Sequence, residues 1–126
     1  MSDRGLILFA HGARDPRWAV PFEAMAQHIR SRQPGLPVTL AFLEFMTPDL
    51  EQAAGTLVQA GCRHIDLVPM FLGAGGHVRK DLPAKLDALQ LQHAGTSFTL
   101  HPAIGEVDSV LRAMAEAALA LAGAAA

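Results

Sequence analysis

Two rhythms of apolar residues alternate along the chain. Gly5-Leu6-Ile7-Leu8-Phe9-Ala10 is a short continuous apolar run, the mark of a strand covered on both faces. After a loop, Trp18, Phe22, Met25 and Ile29 recur at helical spacing up to Gln33, and Pro34-Gly35 ends that helix. Pro37 to Phe45 (PVTLAFLEF) reads as the second strand. Thr47-Pro48-Asp49 then supplies an N-cap, a first-position proline and an acid in the first turn. Leu50, Ala54, Leu57 and Val58 form the buried stripe of the second helix, which Gly61 closes. The third strand, His64 to Met70, is followed by Gly73-Ala74-Gly75-Gly76. Val78, Leu82, Leu86 and Leu89 mark a third helical stripe. Pro83 is tolerable only near a helix start, which places that start around Asp81. Ser97 to Ala103 is the fourth strand, and Val107, Val110, Leu111, Met114 and Leu121 line the last helix before an alanine tail from Gly123.

Strands alternating with helices predict a parallel sheet with right-handed crossovers and helices on both faces. No linker, charge run or low-complexity block divides the 126 residues. The expectation is one α/β domain over residues 1–126, with a single four-stranded parallel sheet in the order 2-1-3-4.

Composition removes several classes of function. Apolar residues make up 51% and charged residues 17%, which argues for a packed core and against a disordered chain. No apolar run reaches the roughly 18–20 residues of a membrane span. The first run ends at His11-Gly12, too soon for a secretory signal, so a cytoplasmic protein without a membrane partner is expected. A net charge of −2, a single tryptophan and no tyrosine disfavour nucleic acid as a partner. The one cysteine, Cys62, excludes an intrachain disulfide or a multi-cysteine metal site and reads as core filling.

Ligands of open α/β sheets bind beyond the carboxyl ends of the strands, where the strand order reverses. That rule sorts the six histidines. His11 immediately follows the first strand, His77 closes the glycine-rich loop after the third, and Glu44 ends the second. In the assumed order the first and third strands are neighbours, about 4.8 Å apart. Two imidazoles and a carboxylate suit first-row ions such as Fe²⁺, Co²⁺, Ni²⁺ or Zn²⁺ and leave coordination positions open. Each residue also has a plainer reading: His11 as a loop or capping residue, Glu44 as a solvated charge at a strand end. His28 and His93 fall within helices and His64 at the wrong end of its strand. His101 approaches the same rim, although Pro102 after it suits a turn equally well. Arg14 and Arg17 follow His11, and Arg79 and Lys80 follow His77, so four of ten basic residues flank the two rim loops. Guanidinium groups take carboxylates in bidentate fashion, which fits an acidic ligand; Asp15 and Asp81 offer these cations ordinary partners instead. The glycine-rich loop fits neither phosphate-binding pattern: Lys80 is followed by Asp81 rather than Ser or Thr, and Val78 stands where the dinucleotide fingerprint needs glycine.

His11-Gly12-Ala13-Arg14-Asp15-Pro16, Phe42-Leu43-Glu44, Val68-Pro69-Met70-Phe71-Leu72 and Gly76-His77-Val78-Arg79-Lys80-Asp81-Leu82-Pro83 together resemble the small sirohydrochlorin chelatases of the CbiX/SirB type. The resemblance runs over nearly the whole chain in order. Ala13 departs from it, since serine is common there. The resemblance implies a chelatase-like, flavodoxin-like half unit that needs neither ATP nor an organic cofactor. It implies insertion of a divalent metal ion as substrate, Co²⁺, Fe²⁺ or sometimes Ni²⁺, into sirohydrochlorin or a related tetrapyrrole, on the routes to cobalamin or sirohaem. Metal-binding and catalytic roles carry over to His11, His77 and Glu44. Substrate carboxylates would meet Arg14, Arg79, Arg17 and Lys80. Longer relatives contain two such units, so the half-length implies a homodimer, in keeping with two sheet edges that need cover.

Two other classes compete. A metal-binding or metal-delivery protein without catalysis would keep the ligands but need no basic rim. A flavodoxin-like signalling module would want an acidic cluster or a hydroxyl-rich phosphate loop after the first strand, where this chain has His11-Gly12.

Overall fold

A computed structural model describes residues 3–73 and 75–123, without the side chains of residues 76–79. The apolar runs form strands β1 (Arg4–Ala10), β2 (Val38–Phe42), β3 (His64–Pro69) and β4 (Ser97–Leu100). All pair in parallel, in the expected order β2-β1-β3-β4. Helices α1 (Val20–Arg32), α2 (Leu50–Gln59), α3 (Gly76–Gln92) and α4 (Asp108–Leu121) connect or follow them, with 3₁₀ turns at Pro16–Ala19 and Ile104–Glu106.

Alternation along β1 divides the core. Ile7 and Phe9 join Ile65 and Leu67 of β3 beneath α2 and α3, which contribute Leu57 and Leu89. Leu8 and Ala10 face the other way, against Ala26 and Ala19 at α1. Each large aliphatic side chain fully buried in this way stabilises the fold by about 1.5–3 kcal/mol. Cys62 is buried as core, and its sulfur lies so near Gly5 that a Cβ there would come within 2.9 Å of it.

Several boundaries differ from the sequence expectation, each for a local reason. β2 stops at Phe42, whose N–H donates to the Pro48 carbonyl at 2.9 Å as the chain turns back. Glu44 therefore lies past the strand. Asp49, not Thr47, caps α2: its carboxylate accepts from the Gln52 N–H at 2.8 Å, and the Gln52 side chain accepts from the Asp49 N–H at 2.9 Å. The third helix begins at Gly76 rather than Asp81, with Pro83 inside it on an exposed position. A single proline removes one backbone bond, and the buried stripe Leu82, Leu86 and Leu89 holds the helix through it. The Val78 side chain lies outside the described residues. β4 ends at Leu100, leaving His101 beyond it.

The largest difference is α4. Its apolar positions recur at helical spacing, yet none of its residues is buried. Packed chiefly on the 3₁₀ turn before it, the helix leaves Leu111 and Met114 about half exposed. An apolar cleft of about 850 Å³ remains on the α1 side of the sheet, lined by Leu8, Val68 and Met70 from the strands, Met25 from α1, and Val110 and Met114 from α4.

Candidate functional site

Hydrogen bonds of the sheet continue past the ends of β1, β2 and β3 and tie three loops into one rim. The Leu43 N–H donates to the Ala10 carbonyl at 2.9 Å, the Glu44 N–H to the His11 carbonyl at 3.1 Å, and the Met70 N–H to the Phe9 carbonyl at 2.7 Å. Gly12 makes this approach possible. Its φ is +86°, and a Cβ on it would stand 1.9 Å from the Glu44 carbonyl oxygen. Only glycine fits both the left-handed backbone and the gap.

His11 is exposed, and its ring lies 4.3 Å from that of Phe71 at a tilt of 34°. Phe71 is buried and meets Phe9 edge-on, so the imidazole rests on a fixed aromatic floor. Phe71 is held from the far side as well: its carbonyl accepts from the Gly105 N–H at 2.9 Å. A Cβ on Gly105 would stand 1.8 Å from the Leu72 carbonyl oxygen. His77 falls in the first turn of α3, five residues beyond Leu72 and after Gly75, an N-cap without a side-chain bond. The side chains of His77 and Arg79 lie outside the described residues. Among the described residues no group of three His, Cys, Asp or Glu side chains could hold a metal ion. What the structure brings together is the His11 loop and the Glu44 backbone; His77 lies further along the chain, in the first turn of α3.

The basic residues divide. The Arg14 guanidinium lies over the Phe45 ring, 4.8 Å from its centroid. Arg17 is engaged by Asp15, with a closest contact of 2.7 Å. The Arg17 side chain and N–H hold the Asp15 carboxyl below its usual pKa, and Asp15 in turn raises that of Arg17. Lys80 is exposed in α3. A cleft of about 800 Å³ opens beside the rim, between α1 and the segment from Phe45 to Pro48, with Arg14 in its wall.

His101 does not reach the rim. Its Nε2 lies 2.9 Å from Asp66 Oδ1, in the middle of β3, and Arg4 contacts the other carboxylate oxygen at 3.0 Å. Burial alone would raise the Asp66 pKa, but the His101 and Arg4 contacts outweigh it and hold the carboxyl below its usual value. His64 pairs with Ser97 across the strands at 2.7 Å, His28 is exposed on α1, and His93 ends α3 near Phe98. Burial and the charge of Asp3 raise the pKa of the Cys62 thiol above its usual value, as suits a side chain that fills the core. Sequence reasoning missed Phe71, Gly105 and Phe45. A glycine between Ile104 and Glu106, with no turn partner beside it, was the available signal for the second of these.

Comparison with known proteins places this rim in context. The CbiX family model matches residues 5–120. The chain belongs to the CbiX family. Sirohydrochlorin cobaltochelatase of Methanocaldococcus jannaschii is 30% identical to this CbiX chain over 88 residues, 70% of this chain and 62% of that one. The chain thus spans somewhat less than two thirds of that relative's length. A CbiX protein from Marinobacter aquaeolei VT8 superimposes with a TM-score of 0.81 at 30% identity, over 91% of this chain and 93% of the other. SirB from Bacillus subtilis subspecies spizizenii, solved in complex with cobalt, shares the fold (TM-score 0.71, 23% identity). The match covers 90% of this chain but 48% of that one, which is about twice as long.

Proposed function

We propose that this chain inserts a divalent metal ion, Co²⁺, Fe²⁺ or Ni²⁺, into sirohydrochlorin or a closely related tetrapyrrole, with the ion as the metal substrate. The observation that carries the reading is the junction of the His11 loop with the Glu44 backbone at the strand ends, in a chain of the CbiX family that bears His77 in the first turn of α3. The M. jannaschii relative's name supports the substrate.

Metallation removes two pyrrole N–H protons while the ion leaves its other ligands. Imidazole and carboxylate groups hold a first-row ion yet release it, and near neutral pH they accept protons. In this proposal one of His11, steadied by the Phe71 ring, and Glu44 takes the two pyrrole protons in turn and passes each to solvent, and His77 presents the metal with the other. Arg14, Arg79 and Lys80 meet the substrate's carboxylates. Arg17 is turned to Asp15 and contributes after exchanging that partner. No ATP or organic cofactor enters the scheme. Metallation of sirohydrochlorin with Co²⁺, followed by visible absorption under anaerobic conditions, tests it. Acceleration over the protein-free control should fall by at least about 100-fold in His11→Ala and His77→Ala. Acceleration that persists in the double variant, or none in the unaltered chain, rejects the proposal and in the latter case favours a non-catalytic metal carrier.

The same reading includes a homodimer in the cytoplasm. Among the described residues no helix is long and apolar enough to cross a membrane. The bare apolar side of α4 and the apolar cleft beside it support a second copy as the missing cover, and the longer SirB chain supplies a second half's worth of sequence. Sedimentation equilibrium should give a dimer, and Met114→Glu a monomer. A monomeric unaltered chain at micromolar concentration contradicts this assembly.

A further inference from the structure

Phe45 is the residue at the rim that neither the core nor the metal-handling groups account for. Its φ is +67°, a left-handed backbone that bulky side chains rarely adopt, and it is 58% exposed. A large ring held in that conformation at the surface gains little from burial. Arg14 lies over it, but an exposed cation–π contact returns less than the left-handed backbone costs. The turn between Phe42 and Pro48 sets this backbone, but nothing in the turn calls for a large exposed ring there, and strained residues of this kind concentrate where a ligand is clamped.

The surroundings indicate the ligand's chemistry. Phe45 and Arg14 both line the cleft of about 800 Å³ beside α1, a volume suited to a sizeable small molecule. Arg30 lines the same cleft, its guanidinium fixed by the Val38 carbonyl at 2.8 Å and the Gln27 side chain at 3.2 Å. Phe45 directly follows Glu44, whose N–H is bonded to the His11 carbonyl, and Arg14 stands three residues after His11. An aromatic surface paired with a guanidinium complements a flat conjugated ring with carboxylates on its periphery.

We propose that Phe45, with Arg14 laid across it, is the platform on which the tetrapyrrole is received: the conjugated face stacks on Phe45 and a peripheral carboxylate takes Arg14. This inference rests on the proposed tetrapyrrole substrate and identifies how that substrate is positioned beside His11.

The test titrates metal-free sirohydrochlorin into the unaltered chain, Phe45→Ala, Phe45→Tyr and Phe45→Gly, followed by visible absorption, with thermal melts and Co²⁺ kinetics alongside. Phe45→Ala should raise Kd and KM about tenfold and leave kcat within about twofold. Phe45→Tyr should bind as the unaltered chain does. Phe45→Gly should weaken binding like alanine while melting no lower, because glycine takes this φ freely. Unchanged Kd in Phe45→Ala, with the unaltered chain binding and metallating normally, overturns the platform alone. Weakened binding that tracks a lower melting temperature in Phe45→Gly also overturns it, by showing a structural role. An unaltered chain that neither binds nor metallates sirohydrochlorin removes the proposed substrate itself.

Discussion

Replacing Gly12 by alanine isolates the contact on which the rim depends. The added Cβ would sit 1.9 Å from the Glu44 carbonyl oxygen, whereas real Cβ atoms essentially never come under 3.0 Å. The two segments must then part by about 1 Å, and a packed structure yields only partly to such a demand. Left-handed backbone costs an alanine about 1–2 kcal/mol. Loss of the Glu44 N–H to His11 carbonyl bond adds about 1 kcal/mol, and the forced separation about 1–2 more. The expected loss is about 3–5 kcal/mol, a fall in Tm of about 10–20 °C for a domain of this size. Gly61→Ala is the control: φ there is +97°, but nothing lies within 4 Å of the added Cβ, so only the backbone term of about 1–2 kcal/mol applies. Melting curves by circular dichroism compare the two variants. With His11 in its proposed role, the proposed metallation should also slow about 100-fold in Gly12→Ala and stay near normal in Gly61→Ala. If Gly12→Ala melts with or above Gly61→Ala, the close approach is not what holds the rim.

Gly105→Ala meets the Leu72 carbonyl oxygen at 1.8 Å without a left-handed backbone to blame, so a loss of about 2–3 kcal/mol in urea unfolding would be purely steric, and a loss under about 0.5 kcal/mol would show that the segment yields freely. Asp66 governs part of the acid response. Its carboxyl is held below the usual value in the folded chain, so the unfolded chain binds the proton first as pH falls. Its contribution is complete above an unfolded pKa of about 3.9 and is lost as pH drops through the lower folded value. Urea midpoints measured from pH 6 to pH 3 should therefore decline more steeply in the unaltered chain than in Asp66→Asn; parallel curves would show that the His101 and Arg4 contacts carry no such linkage.

Much of the sheet was legible because its strands are buried on both faces and read as unbroken apolar runs, Leu6 to Ala10 above all. The strand order 2-1-3-4, assumed for a fold of this class rather than derived from any residue, is the order found. Boundaries were harder to read where backbone partners, rather than hydrophobic rhythm, decide them. The Phe42 to Pro48 bond shortens β2 and makes Asp49 the cap, and nothing in the apolar pattern marks that bond. His11 was locatable because a histidine directly after a buried strand stands at the switch point of the fold. Phe71 and Gly105 were not, since their importance lies in contacts with residues distant in sequence. The α4 stripe was visible in the pattern, but periodicity reports only that a face is apolar, not whose surface it meets.

Gly105 links two parts of the molecule that lie far apart in the sequence. It sits at the base of α4 and bears directly on the backbone of Leu72, at the head of the loop leading to His77. A force applied to α4, such as its capture in the proposed dimer, would pass through that backbone contact towards Phe71, on which the His11 ring rests. In that proposed assembly, association would be mechanically coupled to the proposed metallation, for a reason unrelated to any group the partner donates.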